Sequence, residues 1–224
     1  MKILIATTSA DSLGPGHPTG TWLEEFAVPF AAFHASGAEI TVASPRGGVT
    51  PIDPKTAPNE DQQREWMQAL AALQSTHRLS EMNADDFDAL FVPGGHGPMM
   101  DLPHDPDMLR LLTAFDRSGK IIGAVCHGPA ALVNAVGGDG EPLVAGRRVT
   151  GFTNSEEKLV KLDHVVPFLL ENELKRHGAH FDGTPIPFAP HVVRDGNLIT
   201  GQNPASSKAI SEQMLEALSR SAPP

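Results

Sequence analysis

Cys126 is the only cysteine in this 224-residue chain, and it stands in Ala124-Val125-Cys126-His127-Gly128-Pro129. An apolar run from Ile121 to Val125 leads into it, and Pro129 suits the first turn of a following helix. A strand, a nucleophile and a helix joined this tightly form an elbow, which needs small neighbours because the turn is strained. A thiol at that point lies over a helix N-terminus, and the positive end of the dipole is expected to lower its pKa. The bland alternative is a small buried core cysteine. The elbow context favours a catalytic nucleophile.

Val92-Pro93-Gly94-Gly95-His96-Gly97-Pro98 ends the preceding apolar run. A glycine turn there leaves backbone N–H groups free. The N–H groups of Gly95 and His127 would make an oxyanion hole, with Gly94 and His96 as substrate contacts. A Gly-Pro turn without function is the competing reading. In Glu24-Glu25, steps of 100° put Glu25 nearer the apolar side and Glu24 toward solvent. A shielded Glu25 beside a thiol would have a raised pKa and could move protons. Spacing alone favours a solvated pair. Pro29 removes the hydrogen bond that the Glu25 carbonyl would accept, which predicts an irregular helix. His127 could shuttle a proton if a carboxylate oriented it, and both Glu156 and Glu157 qualify.

The remaining histidines (His17, His34, His77, His96, His104, His164, His177, His180 and His191) have no tight ligand spacing. No metal is therefore predicted. No Walker A or G-x-G-x-x-G pattern is present, and no nucleotide or other cofactor is predicted. The formal net charge of −10 repels phosphate backbones and argues against nucleic acid as a partner. Apolar runs are too short to span a bilayer. Met1 to Ala6 turns polar at Thr7 and reads as a first strand rather than a signal peptide. With one cysteine and no export signal, the expected compartment is the cytoplasm.

These residues need elements to hold them, and the pattern supplies a β-α-β-α alternation. Strands are expected at Ile3 to Thr7, Glu39 to Ala43, Phe87 to Val92, Ile121 to Val125, 190–194 and 197–200. Helices are expected over 20–36, 106–118, Gly128 to Ala135, 155–161, 166–177 and 204–219. This order predicts an α/β fold with an open, mostly parallel sheet covered by helices on both faces. In such sheets ligands bind beyond the carboxyl ends of the strands, where the Cys126 and Gly94-Gly95 segments fall. One domain over residues 1–224 is expected, interrupted at about 45–86 by an insertion or lid with a helix near Glu60 to Gln74. A second loop spans 182–190.

Together these motifs resemble the PfpI branch of the class I glutamine-amidotransferase-like superfamily. The likeness also includes Thr19-Gly20, Gly151-Phe152-Thr153 and Thr200-Gly201-Gln202-Asn203-Pro204-Ala205-Ser206. It is strongest to the glutathione-independent glyoxalase III subgroup, which also contains protein deglycases. The resemblance implies a flavodoxin-like three-layer sandwich and a Cys126-His127-Glu157 arrangement. It also implies that Glu25 bonds the thiol, against the spacing-only reading, and that the protein is a homodimer. The implied substrate is methylglyoxal or a similar 2-oxoaldehyde, converted to a D-lactate-type 2-hydroxy acid. The metal triad of the larger chaperone members has no match here. A cysteine hydrolase (deglycase, peptidase or amidase) and a redox-sensing holdase are the alternatives.

Overall fold

The computed structural model describes residues 1–221. A seven-stranded sheet runs in the order β3-β2-β1-β4-β5-β9-β8. The strands are β1 (Lys2–Ala6), β2 (Glu39–Ser44), β3 (His77–Arg78), β4 (Ala89–Val92), β5 (Ile121–Val125), β8 (Val192–Asp195) and β9 (Leu198–Gly201). All neighbours are parallel except β8, which pairs antiparallel with β9. The sheet is flavodoxin-like, and its central strands read as unbroken apolar runs because helices cover both faces. A separate two-stranded parallel pair joins β6 (Arg148–Val149) to β7 (His180–Phe181), and no periodic signal announces strands so short.

Alternation along β1 sorts the core into two layers. Ile3 and Ile5 face one way, with Phe26, Phe30 and Phe33 of α1 (Leu23–Ala35) and Ile210 and Met214 of α8 (Ser207–Ser221). Leu4 faces the other way, with Met108, Leu111, Leu112 and Phe115 of α5 (Pro106–Arg117). Helix α1 runs unbroken through Pro29, so the proline does not disrupt it as its missing hydrogen bond suggests. Its three phenylalanines are packed into the core layer on this face of the sheet.

Between β2 and β3 lie α2 (Glu60–Glu65) and α3 (Met67–Leu73), where the pattern predicts a single helix. They divide at Trp66, whose φ of −101° and ψ of 20° leave the helical region. Trp66, Ala69 and Leu73 are buried in the α1 layer. The same stretch reaches the site: Thr21 N–H donates to Pro51 O at 2.8 Å, and Thr19 Oγ1 donates to Asp53 Oδ2 at 3.0 Å. Residues 128–132 form a five-residue 3₁₀ turn instead of an α-helix. The other helices, α4 (Pro98–Asp101), α6 (Asn154–Leu159) and α7 (Leu170–Arg176), are short. No helix among the described residues is long and apolar enough to cross a membrane.

Phe33 is fully buried and meets Phe91 edge-on with ring centroids 5.7 Å apart, tying α1 to β4. Phe33→Ala should lower unfolding stability by about 3–5 kcal/mol, measured by urea denaturation. A loss under about 1 kcal/mol would show that this layer does not carry the fold.

Candidate active site

The carboxyl ends of β4, β5 and β9 form a shelf, and Cys126 leaves β5 there with φ of 60°. A left-handed cysteine is strained by roughly 1–3 kcal/mol, so its flanking peptides must be held. Cys126 N–H donates to Gly201 O and Phe152 N–H donates to Cys126 O, each at 2.9 Å. Gly128 lies against β4 so closely that a Cβ there would come within 3.2 Å of Pro93 O. The sequence therefore places small residues at this bend for a steric reason.

Sγ lies 3.3 Å from Nδ1 of His127, and Nε2 of the same ring lies 2.7 Å from Glu157 Oε2. The other Glu157 oxygen, Oε1, lies 2.8 Å from Nε2 of His96. The two imidazole rings are stacked at a tilt with centroids 4.0 Å apart, and Phe152 covers His127 at 4.5 Å. Burial alone would push the Glu157 carboxyl up. Hydrogen bonds from His127 and His96 outweigh this and hold it down at about 2. An ionised carboxylate only accepts, so both Nε2 atoms are donors. Burial, with His96 alongside, lowers His127 to about 4. At neutral pH His127 is thus uncharged, with its Nδ1 lone pair turned to the sulfur.

Glu25 is fully buried, whereas Glu24 is exposed. This overturns the solvated-pair reading: the helix face turns Glu25 under the elbow. A Cβ on Gly94 would sit 2.7 Å from Val125 O and 2.8 Å from Cys126 Cβ, and would also strike Glu25 Oε2. Glycine at 94 thus leaves the space that the carboxyl fills. The thiol and the N–H groups of Gly94 and Gly95 surround Glu25, although neither carboxyl oxygen has a hydrogen bond of good geometry. Burial raises the Glu25 pKa well above the ordinary carboxylate value, so it is protonated. Burial likewise raises the Cys126 thiol, reinforced by Glu25 and opposed by the Gly95 N–H. The expected lowering by a helix dipole is not found. A five-residue 3₁₀ turn carries little dipole, and desolvation wins.

Glu157 is the carboxylate at His127, which settles the choice between the two glutamates. Its neighbour Glu156 has a different position. Thr153 and Glu156 form a capping box that starts α6 and so aims Glu157 at the histidines. Fully buried, Glu156 accepts hydrogen bonds from Thr153 N–H and Oγ1, Phe188 N–H, Gln202 Nε2 and Asn203 Nδ2 at 2.8–3.0 Å. It ties α6 to the loop before β8 and to the end of β9. His96 proves to be a partner of Glu157 rather than only a group near the mouth. Histidine, histidine and carboxylate donors lie within 4.8 Å of one another. Linear spacing indicated no such grouping, because His96 and His127 follow different strands and Glu157 lies on α6. The remaining sequence candidate, the His127 N–H, has no acceptor among the described residues.

Two measurements test this electrostatic arrangement. Glu25 binds a proton when folded that it releases when unfolded above about 4.5, so its contribution to stability falls as pH rises. His127 acts oppositely over about 4 to 6.5, where only the unfolded chain takes up its proton. Glu25→Gln mimics the protonated carboxyl, and its stability relative to wild type should grow with pH from 4.5 to 8 in urea titrations. A gain that shrinks with pH would mean that Glu25 is ionised in the fold. Glu156→Ala leaves several buried donors unpaired, and calorimetry should show a loss of roughly 3 kcal/mol.

The sequence profile of the DJ-1/PfpI family matches residues 19–217. Glyoxalase 3 of Candida albicans is 29% identical over 231 residues, covering 97% of this chain and 98% of that one. The glutathione-independent glyoxalase HSP31 of Saccharomyces cerevisiae is 28% identical, with 97% and 98% covered. The crystal structure of the Candida albicans glyoxalase III superposes with a TM-score of 0.90 at 28% identity, covering 97% of both chains. The 24 kDa rapid encystment protein of Francisella tularensis does so at 0.91 and 32%, with 97% and 98% covered. An elbow cysteine on a flavodoxin-like sheet, with similarity over nearly the whole length, makes this chain a member of the DJ-1/PfpI family.

Proposed function

We propose that this protein is a glutathione-independent glyoxalase that converts methylglyoxal or a related 2-oxoaldehyde into a 2-hydroxy acid, giving D-lactate from methylglyoxal. One observation carries the reading: a buried thiol faces a neutral imidazole on one side and a protonated carboxyl on the other. Isomerising an aldehyde-ketone pair needs these parts, a covalent anchor and two groups that exchange protons. Full-length similarity to proteins named glyoxalases supports the choice of substrate class.

Cys126 adds to the aldehyde carbon, forming the S–C bond as its proton passes to His127 Nδ1. The new oxyanion lies toward the N–H groups of Gly95 and His127 and takes the proton of Glu25. The Glu25 carboxylate then removes the hydrogen on that carbon, while protonated His127 gives its proton to the adjacent ketone oxygen. An enediol results. Glu25 returns its proton to the second carbon, and the first hydroxyl gives its proton to His127, leaving a thioester. Water attacks the thioester, its proton goes to Glu25, and His127 protonates the departing sulfur. The acid leaves and the three side chains return to their starting states.

Glu157 holds His127 in the tautomer this sequence requires, and Gly94 and His96 line the approach of the substrate. The scheme uses no cofactor, since the thiol takes the place of glutathione. A cytoplasmic homodimer belongs to the same proposal.

Purified protein with methylglyoxal and no added thiol should produce D-lactate. Cys126→Ala should reduce this to background, and Glu157→Gln should lower kcat by roughly 10²–10⁴-fold. Full D-lactate production by Cys126→Ala would sink the scheme.

A further inference from the structure

His96 Nε2, His127 Nε2 and Glu157 oxygens make one group of potential metal ligands, and no other group of three such side chains occurs among the described residues. All three side chains are buried. Two imidazoles and a carboxylate suit a borderline cation such as Zn²⁺. The rings converge on one carboxylate through N···O contacts of 2.7 and 2.8 Å. Ligands around zinc at about 2.0–2.2 Å lie roughly 3.3 Å apart, so a shift of about half an ångström at each contact admits an ion. A cavity of about 110 Å³ adjoins His96 and is also bounded by His17, Thr19 and Asp53. Of the three side chains His96 alone borders it, and it is wide enough to hold water.

We propose that His96, His127 and Glu157 form an inhibitory Zn²⁺ site inside the catalytic arrangement. The ion takes the place of the two N–H···O contacts to Glu157. Each ring presents its Nε2 lone pair to the ion, and the proton that neutral His127 carried on Nε2 moves to Nδ1. For His127 this puts an N–H against Sγ, where a lone pair stood 3.3 Å away. The thiol proton then has no acceptor, and addition to an aldehyde stops. Cys126 is not a ligand, because it faces the opposite edge of the His127 ring.

Inhibition rests on the glyoxalase reading, but binding does not. Zinc is titrated into the full chain against a chromophoric chelator, for wild type, Cys126→Ala and His96→Gln. Methylglyoxal turnover of wild type is followed in parallel, with and without EDTA. One ion per chain should bind to wild type and to Cys126→Ala, and affinity should fall at least about 10-fold in His96→Gln. Turnover should fall with occupancy and recover on chelation. Loss of binding in Cys126→Ala, or unchanged binding in a folded His96→Gln, overturns the site.

Imidazole ¹⁵N spectra of wild type provide a measure independent of any variant. Zinc should move the His127 proton from Nε2 to Nδ1, and an unchanged tautomer would also overturn the proposal. Zinc binding with the tautomer change in a protein that turns over no 2-oxoaldehyde would sink the glyoxalase reading alone. Turnover that persists at full occupancy would sink inhibition alone.

Discussion

The left-handed turn at Cys126 is the constraint on which the site depends. A residue with a side chain stays at φ of 60° only when its surroundings hold it there. Here β9 receives its N–H, the Phe152 N–H caps its carbonyl, and Gly128 lets the chain fold back on the end of β4. The parallel sheet is therefore more than a platform. Its register aligns Val92 with Ala124 and Val125 with Gly201, so three loops meet at one level. Every group that touches the thiol comes from those loops or from the α1 face beneath them.

Desolvation then decides the protonation states. With Cys126, Glu25 and His127 all buried, the uncharged form of each is favoured, whereas Glu157 keeps its charge. Two imidazole donors stabilise that one negative charge. The resting site is a chain of neutral groups ending in an anion, so a proton taken up by His127 is held beside the Glu157 carboxylate. A thiolate stabilised by a helix dipole would be a different device, and the short 3₁₀ turn does not supply it.

Supporting contacts extend this order outward. Glu156 uses its buried carboxylate to join α6, the loop through Phe188 and the residues after β9. Phe188 itself has φ of 62°, and its ring approaches Phe152, which covers His127. The 51–53 segment bonds to residues 19–21 ahead of α1. Trp22 N–H in turn donates to Gly94 O at 3.0 Å, fixing the glycine turn.

Linear order alone carries the alternation of strands and helices, the elbow at Cys126 and the nearer approach of Glu25 than Glu24 to the apolar side of α1, although not the burial of Glu25. Each is a local matter: apolar runs for covered strands, small residues at a strained bend, and 100° steps around a helix. Tertiary structure decided what depends on residues far apart in the chain. It selected Glu157 over Glu156, because the capping box at Thr153 sets which of two adjacent glutamates faces the histidines. It brought His96 to the same carboxylate across 61 residues. It also reversed the expected effect on the thiol, since a pKa follows from burial and neighbours, and neither is written in linear order.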